Sequence, residues 1–174
     1  MGDNQYKEPL VSIVIGIYNS SPHLGNLFRM LDEQTYQKWQ AIFVDDGSTD
    51  SSYSILCSKA AKVPRYHILQ KAPEGFPSRS RARGLQEAAG ELVAFCDHDD
   101  FWAPQKLELQ VYLMNLLPDI SILCTDRVVW QTSDYPASAY LWESPITDIP
   151  YRKRRQQDAI FKGLQIVFSS FIGR

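Results

Sequence analysis

Two short acidic clusters carry most of the chemistry this chain can offer: Asp97-His98-Asp99-Asp100, and Asp45-Asp46 at the head of the run Asp45-Asp46-Gly47-Ser48-Thr49-Asp50. In an extended segment, residues i and i+2 project to the same side, so Asp97 and Asp99 are placed to converge on one cation. Hard carboxylate oxygens suit Mg2+ or Mn2+, ions that bridge to substrate phosphates more readily than they sit in an all-protein cage. A plainer use is helix capping, with Asp99 or Asp100 closing the first turn of a helix opened by Pro104. A cap needs one carboxylate, however, and the cluster offers three. Ionised Asp45 or Asp46 accepts hydrogen bonds only, which fits a nucleobase N–H or a ribose hydroxyl. A turn followed by a helix cap would account equally well for Gly47 to Asp50.

Cationic groups accompany these acids. Lys71, Arg79, Arg81 and Arg83 lie just before or within the segment leading to Asp97. Guanidinium groups fork onto phosphate oxygens, and with a metal they would offset the repulsion between a diphosphate and the aspartates. Charge runs are commonly solvated helix faces, and of the three arginines Arg81 is the one placed to face a ligand. The basic run Arg152-Lys153-Arg154-Arg155 could rest against anionic headgroups as a peripheral membrane contact, or be a solvated loop before a helical pattern at Gln156–Leu164. His23 and His67 have no partners spaced for catalysis.

The elements that must position these residues follow from hydrophobic periodicity. Leu10–Tyr18 is a near-continuous apolar, β-branched run, as in a strand buried on both faces. Ser21-Pro22 reads as an N-cap and first helical residue, followed by Leu24, Leu27, Phe28 and Leu31 on one helical face. Gln40–Val44 is a second strand. A helix to about Lys62 should carry Tyr53, Leu56, Cys57 and Ala60 on one side. Tyr66–Gln70 is a third strand, and the breaker-rich Lys71–Ser78 is a loop. A helix then runs to Gly90, with Leu92–Cys96 as the fourth strand. Pro104 opens a helix with Leu107, Val111 and Met114 inward, and strands are expected in Ile120–Trp130. Strand–helix alternation of this kind is the signature of an α/β fold with a mostly parallel sheet. Tyr18-Asn19, Asp45-Asp46 and Asp97–Asp100 all fall where strands give way to loops. That is the ligand-binding edge of such sheets.

Composition narrows the function classes. The chain has 174 residues, net charge −2, 44% hydrophobic and 22% charged residues, values suited to one globular domain and opposed to nucleic-acid binding by bulk charge. Three widely spaced cysteines, Cys57, Cys96 and Cys124, form no disulfide or zinc framework and read as buried free thiols of a reducing compartment. The polar start, Met1 to Pro9, lacks a signal-peptide pattern, and no apolar run reaches the ~20 residues of a membrane span. The expected setting is cytoplasmic, at the inner face of the membrane if the basic run engages lipid.

Taken together, Val11-Ser-Ile-Val-Ile-Gly-Ile-Tyr-Asn19, Phe43-Val-Asp-Asp-Gly-Ser-Thr-Asp50, Ser80-Arg-Ala-Arg-Gly-Leu85 and Gly90-Glu-Leu-Val-Ala-Phe-Cys-Asp-His-Asp-Asp100 resemble the family 2 glycosyltransferases in motif, order and spacing. Gly16, where the family often has proline, and Ala82, where it often has asparagine, depart from the pattern. The resemblance implies a GT-A (Rossmann-like) fold, a nucleotide-diphosphate-sugar donor of the UDP type, and transfer with inversion to a hydroxyl of a glycan or lipid-linked acceptor in cell-surface polysaccharide synthesis. On this sequence it implies that Asp46 accepts from the base and that Gly16 and Tyr18 line the nucleotide pocket. It further implies that Arg81 lies beside them, Asp97 faces the ribose or donor sugar, and Asp99 ligates Mn2+ or Mg2+. Residues 1–130 would form the donor-binding region and 131–174 the start of an incomplete acceptor-binding region. The general base is then expected beyond Arg174, past the strand-like Ile166–Arg174, in a chain that reads as truncated, with Asp158 the one late acid offered as a substitute. A non-catalytic nucleotide-sugar-binding module is the alternative. A sugar nucleotidyltransferase would want a Gly-rich loop after the first strand, and a phosphoacceptor signalling domain an acidic pair there. Tyr18-Asn19-Ser20-Ser21 supplies neither.

Overall fold

The computed structural model describes residues 7–124 and 171–173. β1 (Val11–Ile17), β2 (Trp39–Asp45), β3 (Tyr66–Gln70) and β4 (Leu92–Asp97) alternate with helices α1 (Leu24–Asp32), α2 (Ser52–Ala60), α3 (Pro77–Gln86) and α4 (Lys106–Leu116). β5 (Ile122–Cys124) and β6 (Phe171–Gly173) complete a six-stranded sheet of order β3-β2-β1-β4-β6-β5. β1 to β4 are mutually parallel, and β6 lies antiparallel between β4 and β5. The mostly parallel α/β sheet expected from the sequence is therefore the fold.

Alternation along β1 explains the layering. Val11, Ile13, Ile15 and Ile17 point to one face, where Leu24, Leu27, Phe28 and Leu31 of α1, Leu56 of α2 and Leu107, Val111 and Met114 of α4 bury against them. Val14, with Ile42 and Val44, points to the other face. There α3 comes so close that a Cβ on Gly84 would lie 2.4 Å from Val14 Cγ1, so only glycine permits this helix-to-sheet distance. The chain order runs outward from β1 through β2 to β3, then crosses back through α3 to β4 on the other side of β1. The topological switch point thus lies between β1 and β4.

Several boundaries differ from the sequence expectation for identifiable reasons. Ser21-Pro22 does not start α1. The Ser20 N–H donates to Ser52 Oγ and the Ser21 N–H to Asp50 Oδ2, so both are tied to the next turn and the helix begins at Leu24. In α2 only Leu56 of the expected stripe is fully buried, while Tyr53 and Cys57 face solvent. α3 ends at Gln86 rather than Gly90, because Glu87 and Ala88 close tight turns onto Gly84 and Leu85, and the Gly90 N–H goes to Ser12 Oγ. α4 starts at Lys106, since the Pro104 carbonyl is taken by the Thr35 N–H. Of the three cysteines, all free, only Cys96 is buried, so the expectation of buried thiols holds for one of them. Expectations on Thr125–Trp130, the loop to Pro150, Arg152–Arg155, Gln156–Leu164, Asp158 and most of Ile166–Arg174 fall outside the described residues. Among the described residues no helix is long and apolar enough to cross a membrane.

Candidate donor site at the carboxyl edge of the sheet

Strand register brings the sequence motifs together. Gly16 on β1 pairs with Val44 on β2 and with Asp97 on β4, and Ile17 pairs with Asp45. The ends of three adjacent strands therefore present Asp45-Asp46, Gly16–Tyr18 and Asp97 along one edge, at the switch point where open α/β sheets bind ligands. Gly16 is not dictated by crowding: a Cβ there would meet Ser80 Cβ at an ordinary 3.6 Å. Tyr18 is 55% exposed and stands at the rim.

The first loop is clasped by its neighbour. Asn19 adopts a left-handed φ of 47°, a conformation asparagine tolerates better than most residues. Its Oδ1 accepts from the N–H groups of Thr49 and Asp50 and from Thr49 Oγ1, while its own N–H donates to Ser48 Oγ. Asp50 accepts from the Ser21 and Ser52 N–H groups, which hold its carboxyl well below the usual carboxylate range. Gly47 to Asp50 thus serve as turn and clasp, the structural use that the sequence left open. Gly47 has φ 71°, and a Cβ on it would lie 2.7 Å from Pro73 Cδ.

The two acids ahead of that turn differ. Asp45 is fully buried; one carboxylate oxygen accepts from the Ser48 N–H and the other has no hydrogen-bond partner. Asp46 is 7% exposed, and Oδ1 accepts from Lys71 Nζ at 2.5 Å and from the Glu74 N–H, Oδ2 from the Gly75 N–H. Burial pushes its pKa up, but the Lys71 and backbone hydrogen bonds together outweigh it and hold the carboxyl below the usual range. Asp46 is thereby the anchor of the loop between β3 and α3. Sequence reasoning listed Lys71 only as a cation near α3; its position directly after a predicted strand end was the signal for this pairing.

At the other end of the edge, Arg81 Nη2 on α3 donates to Asp97 Oδ1 at 2.6 Å. Arg79 pairs with Glu74, and Arg83 with Glu87, on the exposed side of the helix. Of the three arginines only Arg81 is directed to the strand ends. The Asp97–Asp100 segment is a tight turn, with the Asp100 N–H on the Asp97 carbonyl. It therefore does not run extended as the spacing argument assumed. Capping does not explain it either, since α4 has Gln105 at its N-cap with no side-chain cap bond. Asp99 is exposed at the tip, and the His98 ring meets His23 edge-on at 5.5 Å, a contact the sequence did not indicate.

This donor set bears on the expected Mn2+ or Mg2+. Among the described residues, no three His, Cys, Asp or Glu side chains are grouped to hold an ion alone. One or two hard carboxylates open to solvent are nevertheless the complement these ions use when phosphate oxygens and water complete the shell. Asp97 and Asp99 would fit a cation delivered with a diphosphate.

The family model for glycosyl transferase family 2 matches residues 12–173. An uncharacterised glycosyltransferase of Haemophilus influenzae is 36% identical over 106 residues, covering 61% of this chain and 42% of its own length. TuaG of Bacillus subtilis, named for teichuronic acid biosynthesis, is 33% identical over 107 residues with 62% and 42% coverage. This chain thus spans less than half the length of these relatives. Among solved structures, Staphylococcus aureus TarS in complex with UDP superposes with TM-score 0.61 at 26% identity, over 70% of this chain and 38% of that one. The Pyrobaculum calidifontis mannosyltransferase PcManGT, solved with GDP-Man and Mn2+, shares the fold with TM-score 0.61 at 24% identity, over 73% and 38%. With the GT-A sheet, the motifs at its carboxyl edge and a family match across nearly the whole sequence, the chain belongs to the family 2 glycosyltransferases.

Proposed function

We propose that this chain forms the donor-binding part of a glycosyltransferase that takes a sugar from a nucleotide diphosphate, UDP in the first instance, and passes it with inversion to a hydroxyl of a glycan or lipid-linked acceptor. The observation that carries the proposal is the register Val44–Gly16–Asp97, which lines up Asp46, the Gly16–Tyr18 backbone and the Arg81–Asp97 pair along one sheet edge. TarS, a relative in fold and sequence, was solved with UDP and with UDP-GlcNAc, which supports this donor class. The name of TuaG supports a place in surface-polysaccharide synthesis.

In this reading Asp46 receives the base, Gly16 and Tyr18 line the nucleotide pocket, and Asp97 turns its second oxygen to the ribose or donor sugar. Arg81 orients Asp97 and lies beside the diphosphate. Asp99, aided by Asp97, would hold Mn2+ or Mg2+; the ion supplies charge neutralisation of the leaving diphosphate. Residues 1–130 act as the donor region and 131–174 begin the acceptor region. The base that takes the acceptor's proton is assigned beyond Arg174, and Arg152–Arg155 to contact with an anionic membrane face.

The test is calorimetry of UDP with the chain in Mn2+ and in EDTA. Binding in the micromolar to millimolar range is expected only with the metal, because two aspartates and a diphosphate repel one another without a cation between them. Equal affinity in both conditions would remove the metal from the proposal, and no binding in either would remove the donor.

A further inference from the structure

We propose that Gln34 and Met30, at the end of α1, are positioning residues for Asp99: they fix the stretch of chain that leads from the turn after β4 into α4. The proposal rests on the donor-binding reading above, in which Asp99 holds the cation, and deepens it by naming what sets the place of that carboxylate.

Residues 100–103 follow that turn without helix or strand, so their backbone groups must be met by other parts of the chain. Three successive residues turn to the same neighbour. The Trp102 N–H donates to Met30 Sδ at 3.0 Å, and the Ala103 carbonyl accepts from Gln34 Nε2 at 2.9 Å. The Pro104 carbonyl accepts from the Thr35 N–H at 2.9 Å. Gln34 is 1% exposed, and its amide is used on both sides. Nε2 also donates to the Met30 carbonyl at 3.4 Å, and Oε1 accepts from the Leu107 N–H at 3.2 Å. That last bond stands in for a helix cap. Gln105, at the N-cap of α4, has no side-chain cap bond, and the Leu107 N–H is a donor that an N-cap side chain ordinarily meets. One buried amide thus holds the approach to α4 and its first turn together.

Asp99 itself is exposed, so its place follows from how the chain is held on either side of it. β4 ends at Asp97 on one side, and the anchor at Ala103 lies at most ~14 Å of chain away on the other. A displacement at the anchor therefore reaches the carboxylate with little slack to absorb it. A metal ligand must be held within about 0.5 Å of its working position, and removing the groups that orient ligands costs ~10–100-fold in metal affinity. The other end of α1 meets the same turn, since His23 at its N-cap is the residue whose ring touches His98.

Two measurements on the intact chain test the assignment: Mn2+ affinity with UDP present, from the paramagnetic resonance of the free ion, and hydrogen exchange of the metal-free protein. Gln34→Met keeps the side-chain length and removes its donors and acceptor. It should weaken Mn2+ binding ~10-fold. Without metal, amides at residues 99–103 should exchange ~10-fold faster while those of β1 and β2 keep the parent's rates. Met30→Leu conserves volume, so it serves if the first variant does not fold. It removes the sulfur acceptor of the Trp102 N–H and should weaken Mn2+ binding about threefold, with the same local exchange pattern. Mn2+ held as tightly as by the parent would overturn the proposal. So would a loss of Mn2+ accompanied by uniform acceleration through β1 and β2, the mark of a merely structural role, or by no acceleration at residues 99–103. A parent chain to which UDP adds no Mn2+ affinity would instead take down the donor reading, and this proposal with it.

Discussion

The two acidic clusters sit on the same sheet edge, are built from the same residue, and are put to different uses. After β2, Asp45 is fully buried and Asp46 accepts three hydrogen bonds that pin the following loop. After β4, Asp97 pairs with Arg81, and Asp99 is exposed at the tip of a turn. The first cluster is part of the framework that gives the site its shape. The second is tied less closely to its surroundings, at the exposed end of β4. Position at a strand end therefore does not tell which carboxylates are built into the loop framework and which stand clear of it.

The contrast can be broken most directly by exchanging stability for binding. Asp46→Ala strands the Lys71 ammonium and two backbone N–H groups, and should cost about 3 kcal/mol in urea unfolding, whereas Asp99→Asn should stay within about 0.5 kcal/mol. The native Asp46 carboxyl is depressed below its ordinary 3.8, so its contribution is present at neutral pH and lost as the pH falls through the acid range. Equal destabilisation by the two substitutions would erase the distinction between the tied and the exposed carboxylate.

A smaller effect is expected beneath the second cluster. Lys106 is buried against the Trp102 ring, 4.7 Å away, donates to Gln110 Oε1, and is pushed down by burial to about 8. A lysine with a folded value below its unfolded one costs stability while it remains charged, and the cost fades as pH rises from about 8 to 10.5. Lys106→Met should thus be more stable than the parent by about 1–2 kcal/mol at pH 7, with the gain shrinking above pH 8. Denaturant titrations at pH 7, 9 and 10 (values set by ~1 unit steps around the shifted group) would show it, and a constant difference would refute the buried-charge account.

The smallest stability effect belongs to Arg81→Gln. Its ion pair with Asp97 is partly solvated, so unfolding should change by less than about 1 kcal/mol. Nucleotide affinity should nevertheless fall ~10-fold under the proposed donor reading, in which the guanidinium orients Asp97 and lies beside the diphosphate. A stability loss without an affinity loss would move Arg81 into the framework with Asp46.

What was legible in the sequence follows from the range over which each signal acts. The apolar runs of β1 and β2 and the i, i+3, i+4, i+7 stripe of α1 are local patterns, and they gave the sheet and its ligand edge. Arg81 could be singled out because its spacing before Asp97 belongs to a motif. The Asn19 clasp, the Asp46–Lys71 pair and the His23–His98 contact join residues about 25 or more positions apart through loops. Periodicity carries no information about such contacts. Ser21-Pro22 failed as a helix start for the same reason: the Ser21 N–H and the Ser20 N–H before it found partners in Asp50 and Ser52, about 30 residues on at the start of α2.

The last-numbered strand, β6, has a consequence for how the protein is made. It inserts between β4 and β5, so Val93–Phe95 on that edge of β4 pair with residues that the ribosome delivers well after β4 itself. At ~5–20 residues per second, β1 to β4 can assemble seconds before their final neighbour emerges. During that interval the nascent chain presents a row of unpaired backbone groups, an invitation to pair with another nascent copy on the same message. Translation speed across the stretch between β5 and β6 would then set the soluble yield. Slowing it should raise the fraction lost to aggregation without altering the finished fold.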